Sequence, residues 1–123
     1  MFELTINGQV YAFNFGMGFM REVNKKIGVP VDGLPDVRKN MGLQYTVAGI
    51  IDGEIEVLVD ALEVANKGCT PRVTKALLDS YIDDTNTDID KLFEDVLDFL
   101  KRANATKKTV ATLLKAIEAE KAK

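Results

Sequence analysis

The residues that could do chemistry are few, and their spacing stops short of a reactive site. The chain has no histidine and a single cysteine, Cys69. That removes Ser–His and Cys–His nucleophile pairs, histidine metal sites and thiolate zinc sites. Carboxylates remain, but they mostly fall on polar helix faces, and no loop or apolar pocket sets a pair apart. Gly16-x-Gly18 follows a strand pattern and opens a helical one, as a phosphate-binding loop would. The third glycine of that fingerprint falls on Arg21, and the preceding strand belongs to a hairpin rather than a βαβ unit. Small residues that let the chain turn tightly from strand to helix are the simpler reason. Asp84-x-Asn86-x-Asp88, with Asp95 in twelfth place, begins like a calcium loop. The glycine required at the sixth place is Ile89, and the twelfth ligand is ordinarily a bidentate Glu. Acidic residues before a helix suit its macrodipole without a metal. No catalytic residue, metal or cofactor is therefore expected.

What is left is apolar contact. Met17, Phe19, Met20 and Met41 include three methionines, a flexible residue favoured on adaptable binding surfaces. Taken singly, each is more ordinarily a core residue. As a group they are the candidate peptide-binding surface, extended by Leu43, Val47, Ile50, Val57 and Val64 from the helices that follow.

The elements that position them begin with a hairpin. Phe2, Leu4 and Ile6 alternate with Glu3 and Thr5, and Asn7-Gly8 is a type I′ turn signal. The turn sets Leu4 opposite Tyr11 and Phe2 opposite Phe13, all on one face. A lone ribbon is marginal, so that face needs a cover. The nearest is a helix carrying Phe19, Met20, Val23 and Ile27, stopped by Gly28. Val29 to Pro35, with two prolines and a glycine, reads as a connector. Asp36 then caps a second helix over about Val37 to Ile51. That helix has two apolar faces: Met41, Tyr45 and Ala48 on one, Leu43, Val47 and Ile50 almost opposite. Such a helix is either central to the fold or exposes a surface for a partner. Gly42 and Gly49 weaken it but let another backbone come close.

Asp52-Gly53 turns into a third helix, about Glu54 to Lys67, with Ile55, Leu58, Val59 and Leu62 as its main stripe and Val57, Ala61 and Val64 as a second. The two helices form an antiparallel pair with more apolar surface than mutual packing needs. After Gly68, Thr70-Pro71 reads as the cap and first residue of a fourth helix, with Val73, Leu77, Leu78 and Tyr81 as core. The fifth, about Asp88 to Ala103, carries Ile89, Leu92, Phe93, Val96, Leu97 and Leu100 on one stripe. A weak break at Asn104 to Thr106 precedes a last helix with Val110, Leu113, Leu114 and Ile117, which could also continue the fifth. The fold class expected is mainly α (α+β): five to six helices with an N-terminal β-hairpin. Residues 1–123 read as one domain, with a hairpin at 2–15, a helical core at 17–103 and a C-terminal helix or tail at 104–123.

The opening hairpin followed by Phe15-Gly16-Met17-Gly18-Phe19-Met20-Arg21-Glu22-Val23-Asn24-Lys25 resembles the start of the tail assembly chaperones of long-tailed phages of Gram-positive hosts. Gly42-Leu43 with Ala48, Asp52-Gly53 between helices, and the acidic Leu/Phe-rich helix from Ile89 to Leu100 are similar too. The resemblance spans roughly residues 2 to 100. It implies a non-enzymatic chaperone that binds the long, largely helical tape measure protein and keeps it soluble until the tail tube assembles. It also implies a place in the host cytoplasm and absence from the mature virion. It carries over no binding residues. The alternatives from other classes are a structural tail or connector subunit, or a small regulator that binds nucleic acid through its basic C-terminal segment.

Totals are consistent with that range. A chain of 123 residues with 46% hydrophobic residues can bury a core, and its net charge of −3 is not that of a basic nucleic-acid binder. From Asp79 to Asp98 there are eight acidic residues and one Lys, net −7; from Lys101 to Lys123 there are seven basic and two acidic, net +5. These are either two solvated helix faces or complementary patches for self-association. No apolar run approaches the ~18 residues of a membrane span. Early Glu3 argues against a secretory signal, and one cysteine suits a reducing compartment.

Overall fold

The computed structural model describes residues 1–122. Two strands, β1 (Phe2–Ile6) and β2 (Gln9–Phe13), pair antiparallel with Phe2 opposite Phe13 and Leu4 opposite Tyr11. Asn7 and Gly8 have φ of 52° and 78°, the positive pair that a type I′ turn needs. Phe2, Ile6, Tyr11 and Phe13 are buried on the ribbon's inner face.

Six helices follow: α1 (Met17–Asn24), α2 (Gly42–Ile51), α3 (Ile55–Asn66), α4 (Lys75–Asp83), α5 (Ile89–Arg102) and α6 (Lys107–Lys121). The mainly helical class with an N-terminal hairpin is what the chain adopts. The ribbon's cover is α3 and α5 more than α1. β2 runs beside α3, where the Asn14 amide donates to the Ala65 carbonyl at 2.8 Å. Phe2 meets Phe99 of α5 edge-on, with ring centroids 5.1 Å apart. α1 joins through Phe19, edge-on to Phe15 at 5.0 Å. These aromatic contacts add directional attraction to the area they bury.

The segment after α1 departs from the sequence reading. It is a second hairpin, β3 (Gly28–Val31) and β4 (Leu34–Asn40), not a connector leading into a helix at Val37. The turn is Asp32-Gly33, with Gly33 at φ +79°. Asp-Gly between Val31 and Leu34 is a hairpin signal that the two prolines obscured. Pro30 is tolerated because Pro30 and Arg38 form a pair that exchanges no backbone hydrogen bonds, as the Met41–Ile27 bond at 2.7 Å and the register show. Consequently α1 ends at Asn24 rather than near Ile27, and Asp36 caps nothing: α2 begins at Gly42. The Asn24 side chain instead accepts from the Leu43 amide at 3.2 Å, tying the end of α1 to the start of α2.

The fourth helix also starts later than expected. The Thr70–Pro71 peptide is cis, and the cap is Thr74, whose hydroxyl accepts from the Leu77 amide at 3.1 Å. What holds the 71–74 segment is Asn66, fully buried at the end of α3. Its amide donates to the carbonyls of Ala12 and Pro71; its oxygen accepts from the Val73 amide at 2.6 Å and from Arg72 at 2.7 Å. One side chain thus joins β2, α3 and the loop before α4. The break between α5 and α6 is real. Thr106, also buried, turns its hydroxyl back onto the Leu100 carbonyl at 2.7 Å. That bond lets α6 fold back against α5 and α2.

α2 lies at the centre, against α1, α3, α5 and α6. Of its two apolar faces, Leu43, Val47 and Ile50 enter the core, while Tyr45 stays exposed. Gly42 permits the close crossing with α1: a Cβ there would sit 2.7 Å from the Val23 carbonyl carbon. The buried side chains from the hairpin and all six helices form one continuous cluster.

Candidate partner-binding surface

The nine apolar candidates do not form one surface. Phe19, Leu43, Val47, Ile50 and Val64 are at most 4% exposed and pack into the core. Met20, Met41 and Val57 are half-buried, and Met17 is 45% exposed. Five of the nine therefore shape the surface from beneath. Period and side-chain type marked them as apolar, but could not say which side of each helix the neighbouring helices would cover.

Two open apolar depressions take in Val57 and Met17, while Met20 and Met41 line neither. The first lies where α1, α2 and α3 meet. It is lined by Val23, Ile27, Tyr45, Val57 and Ala61, with Lys26, Thr46 and Asp60 among its polar edges, and its volume is about 170 Å³. The second, about 310 Å³, lies where Met17 and Met1 flank the buried ring of Phe2, beside Phe99 and Ala105. These are small against the several hundred Å³ that enclose a drug-sized ligand. They suit side chains inserted from a partner. Tyr45 and Ile27 were absent from the candidate set. Tyr45 had a signal, its place on the second apolar face of α2. Ile27 had been assigned to a buried helix stripe that ends before it.

The polar near misses are occupied by local structure. Gly16 caps α1 with φ −94° and ψ −158°, in the extended region, at the turn from strand to helix. The Asp84 carboxylate accepts from the Asn86 amide at 2.9 Å, and Asp88 caps α5 by accepting from the Lys91 amide at 3.0 Å. On α5 the acidic residues are partly paired along the helix, Lys91 with Asp95 and Arg102 with Asp98. Lys75 bonds Asp60 at 2.8 Å, and the carboxylate's hydrogen bond and charge hold the ammonium above the ordinary lysine range. No helix among the described residues is long and apolar enough to cross a membrane.

The class that fold and surface define is a small helical domain whose open features are shallow apolar depressions on an otherwise charged exterior. Its sequence places it more narrowly. The family model described as phage tail assembly chaperone protein, TAC, matches residues 3–115, nearly the whole chain, and the chain belongs to that family. No curated protein and no solved structure matches it. Its setting is thus phage tail assembly, as a chaperone with a protein partner.

Proposed function

We propose that the partner is the tape measure protein, and that this chain covers apolar faces of its helices until the tail tube assembles around it. The observation that carries the proposal is the depression between α1, α2 and α3. Tyr45 is 55% exposed beside it, and Val23, Ile27 and Val57 form an apolar floor between polar edges. An amphipathic helix laid there would insert one or two apolar side chains and leave its polar face in water. Each such contact is weak. Many copies along one long client would add avidity. Met17 and Met20 add flexible apolar surface on α1. The chaperone acts in the host cytoplasm and leaves before the virion is complete.

Co-expression with the tape measure protein tests this. The client's soluble fraction should rise, and the two should purify together with several chaperones per client. Tyr45→Glu and Val57→Glu place charge on the depression and should leave a folded protein that loses the client. Leu43→Glu should unfold, because it buries an unpaired charge. A folded wild-type protein that holds no tape measure segment would overturn the proposal. A fixed copy number in purified virions would instead make the chain a structural tail or connector subunit.

A further inference from the structure

The depression between α1, α2 and α3 has two charged edges that differ. On the α3 side Lys75 engages Asp60 at 2.8 Å, so that carboxylate is already compensated. On the α1 side stands Lys26, which is exposed. The β3–β4 ribbon begins beside it, and the ribbon's register, regular from Gly28 to Pro30 before it breaks, decides what joins Lys26. Met41 donates to the Ile27 carbonyl, and Val29 is paired with Lys39. Residues directly opposite share a ribbon face, and every second residue along a strand returns to it. Ile27, Val29 and Lys39 therefore lie on one face, and Ile27 already lines the depression. Burial agrees: Ile27 and Val29 are half-buried, while Pro30, on the other face, is exposed. The ribbon thus carries the apolar floor onward from Val23 and Ile27 to Val29, and brings a second cation, Lys39, to the same side. Lys25 and Arg38 add to the local charge. Among the described residues none of these four cations bonds a carboxylate.

We infer that this edge selects partner helices by charge: the segment that fills the depression is an amphipathic helix whose apolar anchor is flanked by carboxylates, and Lys26 and Lys39 receive them. The inference rests on reading the depression as the client site. The opposite edge offers no comparable attraction for a basic flank, because Lys75 holds Asp60. The acidic helix α5 of a second copy is not the occupant, since its own Leu92, Val96 and Leu100 are buried and supply no anchor. The chain's net charge is −3, so the molecule as a whole repels an acidic partner, and any attraction has to come from the local field of this edge. Exposed ion pairs contribute little singly. The edge therefore ranks helices that already fit the apolar floor, and does not capture acidic peptides at large.

Two synthetic helical peptides test this on the full chain. They share one leucine stripe and differ only in flanks of Glu or Lys. By fluorescence anisotropy at low salt the glutamate peptide should bind roughly tenfold tighter, against the sign of the protein's net charge, and the preference should shrink at high salt. Lys26→Glu with Lys39→Glu should reverse the preference and leave the melting temperature unchanged, because both side chains are exposed. Lys108→Glu with Lys115→Glu, in the basic α6, should leave the preference in place. No preference, a preference for the lysine peptide, or one that moves with the α6 pair would overturn the inference. So would self-association that displaces the glutamate peptide and is lost in K26E/K39E, which would give the edge to a second copy. Overlapping peptides of the tape measure protein read the client separately. If the glutamate preference holds and none of them binds, the tape measure reading falls and the charge selection stands. If they bind whatever charge flanks their anchors, the tape measure reading stands and the charge selection falls.

Discussion

Replacing Gly42 by Ala tests whether the α1–α2 crossing is as close as the structure has it. Two effects oppose each other. Alanine is favoured over glycine inside a helix by about 1 kcal/mol, and by less in the first turn, where Gly42 lies. Against that, the new Cβ would sit 2.7 Å from the Val23 carbonyl carbon and 3.0 Å from Asn24 Cα, with the carbonyl oxygen nearer still. All are backbone atoms and cannot rotate away. Ordinary carbon–carbon contact is about 3.5–4 Å, so the helices must part by on the order of 1 Å. That loosens Val23, Leu43 and Val47, each at most 4% exposed. Overpacking of this kind costs about 1–3 kcal/mol. The clash wins, and G42A should be less stable by about 1–2 kcal/mol. Gly18, in α1, is the control: nothing lies within 4 Å of its added Cβ. G18A should gain up to about 1 kcal/mol. Urea denaturation followed by circular dichroism reads both, with the slope checked for constancy. A G42A variant as stable as the wild type would refute the close crossing, whatever G18A does.

Two further outcomes concern polar groups. Asn66→Ala removes the acceptor of the buried Val73 amide and a donor to Ala12. Each orphaned group costs roughly 1–3 kcal/mol, so a loss of about 3 kcal/mol is expected in the same denaturation experiment. A loss below about 1 kcal/mol would show that Asn66 does not join β2, α3 and the 71–74 loop. Lys75 is held above its ordinary value of 10.5 by Asp60, first through the hydrogen bond and then through charge. A raised folded-state pKa contributes stability that is fully present below the unfolded value and fades as pH rises through the folded one. An NMR titration of its side chain should therefore show a midpoint that falls toward 10.5 in Asp60→Asn. An unmoved midpoint would mean that the ion pair does not form in solution.

The sequence by itself determined the local structure wherever one signal dominated. Asn7-Gly8 set the register of the first hairpin, because few other pairs accept two positive φ angles. The stripe from Ile89 to Leu100 set α5, and Asp52-Gly53 set the turn between α2 and α3. Local signals in conflict misled. Prolines at 30 and 35 hid an Asp-Gly hairpin, since whether a proline harms a strand depends on which way its nitrogen points, and that is a property of the pairing. The N-terminus of α4 escaped for a similar reason. Thr70-Pro71 carries the local signature of a helix start, but the buried amide of Asn66 captures that backbone and moves the start to Thr74. Tertiary structure alone decided which apolar residues stay exposed. Leu43, Tyr45 and Val57 are all apolar residues at helical spacing, and nothing within one helix says which of them faces a neighbour. The close approach allowed by Gly42 turns Leu43 inward, and Tyr45 remains outside beside the half-buried Val57. A side chain's exposure depends on what packs against its helix, and that is settled only when the helices meet.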